Sequence, residues 1–150
     1  MIRLSAALFE GIERHAEREY PRECCGLLVG RIADGGRTRI IEETYPVENT
    51  FEEGERHHRM SIEPLDYARA ERLYAARGWG VVGNYHSHPE HPAVPSQFDL
   101  EHLAPWPTMS YVVVSVREGK AVEFRSWELE ADRSRFKEEE VERAPAEELD

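Results

Sequence analysis

Apolar positions at helical spacing open the chain. Leu8, Ile12, His15 and Ala16 recur with the α-helical period, and Phe9 widens the stripe. Ser5 suits the N-cap and Pro21 ends the run, so a helix is expected from Ser5 to about Tyr20. His15 on that stripe reads as a surface or core-edge residue. A dense apolar run then predicts a strand from Cys24 to about Ala33. Asp34-Gly35-Gly36 is a turn signal, and Arg37 to about Val47 is the returning strand of a hairpin. Glu48 to about Arg59 shows no period and has one large apolar residue, Phe51. Met60-Ser61-Ile62 is expected as a short strand. A second helix is expected from Glu63 to about Arg77. Pro64 suits its first turn and Gly78 its C-terminal cap. Leu65, Ala68, Leu73 and Ala76 give it an apolar stripe, and Arg69, Arg72 and Arg77 give it a solvated face.

The second half alternates strands and loops. Trp79 to His88 reads as a buried strand, Pro89 to Pro95 as a rigid loop, and Ser96 to about Leu103 as a short helix. Ala104-Pro105-Trp106-Pro107 reads as a loop. Tyr111 to Val116 is strongly β-branched and is expected to be central. Arg117 to Lys120 turns it back into Ala121 to Glu128. From Leu129 the chain is mainly charged, with a helix expected over Arg133 to Arg143 and a frayed or disordered end from Ala144 to Asp150. The expectation is therefore one domain over residues 1–128, followed by an acidic tail over 129–150 that is partly helical or disordered. No internal repeat is visible.

Composition narrows the function. The 150 residues carry 30 acidic and 19 basic side chains, a formal net charge of -11, which argues against a nucleic-acid binder. No apolar run could span a bilayer, and Met1-Ile2-Arg3-Leu4 leads into a charged amphipathic segment rather than a secretory signal. Cys24 and Cys25 are adjacent. Neighbours on a strand point to opposite faces, so a disulfide between them is geometrically poor. Both are read as reduced thiols, which places the chain in the cytoplasm. Cys25 is expected in the core. For Cys24 a metal-ligand role stands beside the plainer reading of a small buried residue.

The chemistry concentrates in Tyr85-His86-Ser87-His88-Pro89 and the loop down to Asp99. Residues two apart on a strand share a face, so His86 and His88 can aim at one point. Two imidazoles and a carboxylate leave a fourth position open on a tetrahedral zinc ion. An H-x-H pair also occurs as a solvated pair at strand ends. Ser96-x-x-Asp99 also reads as an N-cap serine with its capping-box acid. A helix start can do both, fixing Ser96 while setting Asp99 one turn in. His57-His58 reads as a solvated loop pair.

The string H-S-H-P, six residues, then Ser96-x-x-Asp99 resembles the JAMM motif of MPN-domain zinc metalloproteases. Pro21-Arg22-Glu23-Cys24-Cys25-Gly26-Leu27-Leu28-Val29-Gly30 resembles a segment of the small stand-alone prokaryotic members. The resemblance runs from the first helix to about Trp127. It implies an α/β fold, a single curved mixed β-sheet flanked by helices, akin to cytidine deaminases. A deaminase itself needs H-x-E together with P-C-x-x-C, and that combination is absent. The resemblance also implies that His86, His88 and Asp99 bind one Zn2+ per chain, that Glu23 is the general base, and that Ser96 donates to the oxyanion. It gives His91 no ligand role, and Ser87 is expected to point away. The implied activity is hydrolysis of a peptide or isopeptide bond after the Gly-Gly tail of a ubiquitin-like or sulfur-carrier protein. The alternative is a non-catalytic MPN interaction scaffold, which would typically lack a motif residue. Nothing in the sequence sets an oligomeric state.

Overall fold

The fold was analysed in a computed structural model that describes residues 1–49, 62–102 and 109–145. The expected loop pair His57-His58, most of the expected strand at residues 60–62, the loop at 104–107 and the chain end from 146 fall outside those residues. The elements are β1 (Ile2–Ser5), α1 (Ala6–Glu19), β2 (Cys25–Ala33), β3 (Thr38–Val47), α2 (Pro64–Tyr74), β4 (Gly80–Pro89), α3 (Gln97–His102), β5 (Ser110–Arg117), β6 (Lys120–Leu129), β7 (Phe136–Glu139) and β8 (Val141–Ala144). No helix among the described residues is long and apolar enough to cross a membrane.

All eight strands join one mixed sheet, in the order β7-β6-β5-β4-β2-β3-β1-β8. The β4–β5, β1–β3 and β1–β8 pairs are parallel, and the others are antiparallel. Strands β7 and β8 lie at opposite ends of that order, yet only Glu140 separates them in sequence. The sheet must therefore curl until its edges meet. The Ile2 amide donates to the Glu140 carbonyl at 3.0 Å. Buried Arg39 on β3 reaches the Ser110 hydroxyl on β5 at 3.2 Å and the Glu139 carboxylate on β7 at 3.6 Å.

Each sheet face buries one helix. Ile12 and Ala16 of α1 pack with Leu4, Cys24, Leu28, Ile41, Tyr85 and Val112. Ala70 of α2 packs with Cys25, Leu27, Val29 and Val47 on the other face. The two cysteines thus point to opposite faces; neither forms a disulfide, and both are buried. Burial pushes the Cys24 thiol up to about 12 and raises Cys25 as well. Ser5 caps α1, its hydroxyl accepting the Leu8 amide at 3.1 Å.

Three elements differ from the sequence reading. Strand β1 is too short to show a period, and it forms because Ile2 and Leu4 are fully buried between β3 and β8. The apolar stripe read on α2 faces outward: Leu65 is 55% and Leu73 61% exposed. The helix instead buries Ala70 and packs Tyr67 and Tyr74 around it, at i, i+3 and i+7. Tyrosine rings cover more of the sheet than leucines would, and the Tyr67 hydroxyl receives a hydrogen bond from Asn84 Nδ2 at 3.3 Å. The helix expected over Arg133 to Arg143 is corrected to β7 and β8. Its charges are cross-strand partners rather than a solvated helix face: Arg125 pairs with Glu138 at 2.7 Å and Arg3 with Glu142 at 3.0 Å.

Gly26 sits beneath Tyr85. A Cβ at residue 26 would lie 2.3 Å from the Tyr85 ring, whose hydroxyl is hydrogen-bonded to His15 Nδ1 at 2.7 Å. Gly26→Ala is expected to destabilise the protein by about 1–3 kcal/mol through overpacking, read as a lower urea midpoint at unchanged slope. Cys24 and Cys25 are expected to react with a thiol reagent only after unfolding, with two thiols appearing together as denaturant is raised.

Candidate metal centre

The centre is assembled where β2 begins and β4 ends. Cys25 pairs with His86 across the antiparallel β2–β4 ladder, and paired residues point to the same face. Alternation then puts Glu23, Cys25, His86 and His88 on one face of the sheet, and Cys24, Tyr85 and Ser87 on the other. Cys24 accordingly packs in the core beside α1, away from the histidines. Glu23, His86, His88 and Asp99 are all buried.

Three donor atoms converge. His86 Nε2 lies 3.1 Å from His88 Nε2 and 3.1 Å from Asp99 Oδ2, and His88 Nε2 lies 3.2 Å from the same oxygen. A tetrahedral ion with ligands at about 2.0–2.1 Å requires ligand atoms about 3.3 Å apart. The triangle therefore fits a zinc-sized divalent ion with one corner left open. Glu23 stands beside it: its carboxylate and the two imidazoles offer atoms all within 4.8 Å of one another. His91 lies on the exposed side of the loop.

Each donor is oriented by a neighbour. His88 Nδ1 lies 2.9 Å from the Pro92 carbonyl, which can only accept, so the proton belongs on Nδ1 and Nε2 keeps its lone pair. His86 Nδ1 has no hydrogen-bond partner among the described residues. Ser96 and Asp99 form the reciprocal cap expected of them. The Asp99 amide donates to Ser96 Oγ at 3.1 Å, and the Ser96 amide donates to Asp99 Oδ2 at 2.8 Å. The cap occupies the serine as an acceptor and leaves its O–H able to donate. Burial alone would raise the Asp99 carboxyl; the two imidazoles beside it, in the form that carries a proton on Nε2, outweigh burial and hold the carboxyl well below its ordinary value.

The loop between the histidines and the cap is strapped to the sheet. The Glu90 amide donates to the Val116 carbonyl at 2.7 Å, and Ser115 Oγ donates to the His91 carbonyl at 2.6 Å. Trp127 Nε1 donates to the Ala93 carbonyl at 3.1 Å, and the Ala93 amide donates to Glu123 at 3.1 Å. Tyr20 at the end of α1 donates to Glu90 at 2.6 Å. A polar cleft of about 120 Å³ opens beside Glu23, lined by Glu19, Arg22, Glu48 and Asn49. A larger cleft of about 220 Å³ opens beside Ser96, against Trp127 and Phe136.

Two further residues hold the main chain beside Glu23. Asn49, past the end of β3, donates from Nδ2 to the Glu23 carbonyl at 3.1 Å. Ser87, between the histidines, accepts the Cys24 amide on Oγ at 2.8 Å. The H-x-H spacing alone could have flagged Ser87, because it forces the middle residue onto the opposite face.

The family model for prokaryotic homologs of the JAB domain matches residues 5–130. Among curated proteins, the chain is 37% identical over 107 residues to tail tip assembly protein K of Escherichia phage N15. That match covers 68% of this chain and spans only 38% of the phage protein. It is 33% identical over 126 residues to the CysO-cysteine peptidase of Mycobacterium tuberculosis, covering 84% of this chain and 81% of that one. The solution structure of protein DSY2949 from Desulfitobacterium hafniense superposes with a TM-score of 0.80 at 33% identity, covering 98% of this chain and 97% of that one. A JAB1/MPN domain protein from Archaeoglobus fulgidus shares the fold, with a TM-score of 0.59 at 19% identity over 95% of this chain and 98% of that one.

Asp99→Ala removes one corner of the triangle and the acceptor of the Ser96 amide together. Its affinity for zinc or cobalt is expected to fall by more than the ~10–100-fold typical of losing a ligand's supporting hydrogen bond, read by competitive titration against a chelator. In the unsubstituted protein, uptake should weaken at acid pH, because both imidazole nitrogens must be deprotonated to bind.

Proposed function

Because the chain belongs to the family of prokaryotic homologs of the JAB domain, we propose that it is a JAMM-type zinc peptidase acting after the Gly-Gly tail of a ubiquitin-like or sulfur-carrier protein. The observation that carries this reading is the convergence of His86 Nε2, His88 Nε2 and Asp99 Oδ2 within 3.1–3.2 Å, with Glu23 and Ser96 beside them. Those three residues would hold one zinc ion per chain, which when bound would supply Lewis acidity for a carbonyl and lower the pKa of a water molecule. The five residues all fall within the 1–128 stretch read as the catalytic domain, whose sheet β7 and β8 carry on to Ala144.

The chain's own groups do the rest. Glu23 is buried and acceptor-only when ionised, so it takes the attacking water's proton and passes it to the leaving nitrogen. Ser96 Oγ is fixed by the Asp99 amide and donates its O–H to the oxygen that becomes negative. A donor of that kind is worth about 3 kcal/mol of barrier. Gly-Gly tails are the substrate class that the resemblance to JAMM enzymes implies for such a site. The resemblance to a peptidase named for a CysO-cysteine conjugate supports a sulfur carrier as the partner. The free thiols Cys24 and Cys25 suit a reducing cytoplasm.

Glu23→Gln keeps the shape and loses the base. It is expected to retain zinc and bind a Gly-Gly-tailed carrier while hydrolysis drops ~100- to 10,000-fold, read by mass spectrometry of the products with and without chelator. Equal rates for both proteins would refute the assigned mechanism. Tight binding by both with cleavage by neither would replace the enzyme reading with that of an interaction scaffold.

A further inference from the structure

We propose that Ser87 and Asn49 are positioning residues that clamp the Glu23–Cys24 peptide group from its two sides and so hold the Glu23 carboxylate against the metal centre. The inference rests on the role given to Glu23 above.

The Glu23 carbonyl and the Cys24 amide belong to one peptide group. In a trans peptide they point in opposite directions, so their partners must come from opposite sides. Asn49 Nδ2 donates to the carbonyl at 3.1 Å, and Ser87 Oγ accepts from the amide at 2.8 Å. The Ser87 amide also donates to the Cys24 carbonyl at 3.2 Å. This matches the sheet order, in which β2 lies between β4, bearing Ser87, and β3, after which Asn49 follows. The main-chain ladders of β2 to both neighbours begin at Cys25, paired with His86 on one side and Val47 on the other. Glu23 lies two residues outside that ladder, at the end of the turn that follows α1. A strand start without ladder bonds frays. Here two buried side chains, together with the Ser87–Cys24 main-chain bond, extend the pairing by one peptide group, and Glu23, Asn49 and Ser87 are all buried.

The clamp fixes the backbone torsion that follows the Glu23 α-carbon, and with it the direction of its side chain. A general base misplaced by about 1 Å loses ~100-fold in rate, so a clamp acting through Glu23 appears in kcat. It leaves metal binding alone, because His86, His88 and Asp99 are held by β4, the Pro92 carbonyl and the α3 cap.

The test uses the full-length zinc-loaded protein. Ser87→Ala and Asn49→Asp are each expected to lower kcat ~10- to 100-fold with KM and zinc content unchanged, whereas Ser87→Thr, which keeps the hydroxyl, stays within a few-fold of the parent. In a Glu23→Gln background the same two substitutions should cost nothing further, the signature of residues acting through one group. Exchange of the Cys24 amide proton, followed by NMR, should speed up in Ser87→Ala and stay slow in Ser87→Thr. This readout needs no substrate. If the parent turns over no tailed carrier, the functional reading fails and exchange still decides whether the clamp exists. Unchanged Cys24 exchange in Ser87→Ala overturns the clamp. Faster exchange with unchanged kcat, or equal further losses in the Glu23→Gln background, overturns its positioning role. Should Ser87→Ala fail to fold, Asn49→Asp carries the kinetic comparison, since it removes the donor to the Glu23 carbonyl and leaves β4 untouched.

Discussion

The pairing of Cys25 with His86 is the constraint on which the rest of the structure depends. It sets which residues share a face. In this register Glu23, His86 and His88 look into one site while Cys24, Tyr85 and Ser87 look into the α1 core. A slip of one residue would exchange the sets, burying two imidazoles among Leu28, Ile41 and Val112 and turning Tyr85 toward the metal centre. Close packing is built for this register. Only glycine fits opposite the Tyr85 ring at residue 26, and a Cβ at residue 83 would lie 2.2 Å from the Ser110 carbonyl. The glycines and the tyrosine are therefore as necessary to the site as its ligands, though none of them touches it.

Converging donors are costly to bury unless each has a defined proton state. His88 acquires one from the Pro92 carbonyl, and Asp99 from the Ser96 amide and the two rings. Both devices sit on the loop after β4, which explains why that loop is strapped by side chains from β5 and β6 rather than left to solvent. The curled sheet makes the straps possible. It brings β6, two strands from β4, over the loop, and Arg39 holds the curl from inside by reaching across to Ser110 and Glu139. Fold and chemistry meet there: curvature supplies rigidity to the segment that orients the ligands.

Much of this was legible in the sequence, and the legible parts share a cause. Helix α1, the β2–β3 hairpin, β4, β5 and the Ser96–Asp99 cap are written in local patterns, namely apolar period, turn residues and cap spacing. His86, His88 and Asp99 sit at short, fixed offsets, so their convergence could be argued from geometry. Glu23 could not; its place beside them follows from strand pairing, and only the resemblance pointed to it. What escaped was decided by tertiary contact. On α2, leucines and tyrosines offer two possible apolar faces, and the sheet selected Tyr67, Ala70 and Tyr74. In the last strands the density of charge reads as a solvated helix until Arg125 and Arg3 are seen to pair with Glu138 and Glu142 across strands. Asn49 is a single polar residue after a strand, and nothing local separates it from any other loop asparagine.

The H-x-H spacing has a further consequence. Two side chains aimed at one point from one face of a strand require an intervening residue on the other, and that residue cannot reach the same point. It is nevertheless held as firmly as the ligands, because it belongs to the same buried strand. A small hydroxyl there can accept a main-chain amide from the neighbouring strand without disturbing the core, which neither a larger apolar side chain nor alanine could do. Ser87 takes that amide from Cys24, the residue next to Glu23. The strand that bears His86 and His88 thereby also holds the main chain next to Glu23. The direction of His86 and His88 and the placement of Glu23 are consequently two faces of one element rather than two independent arrangements.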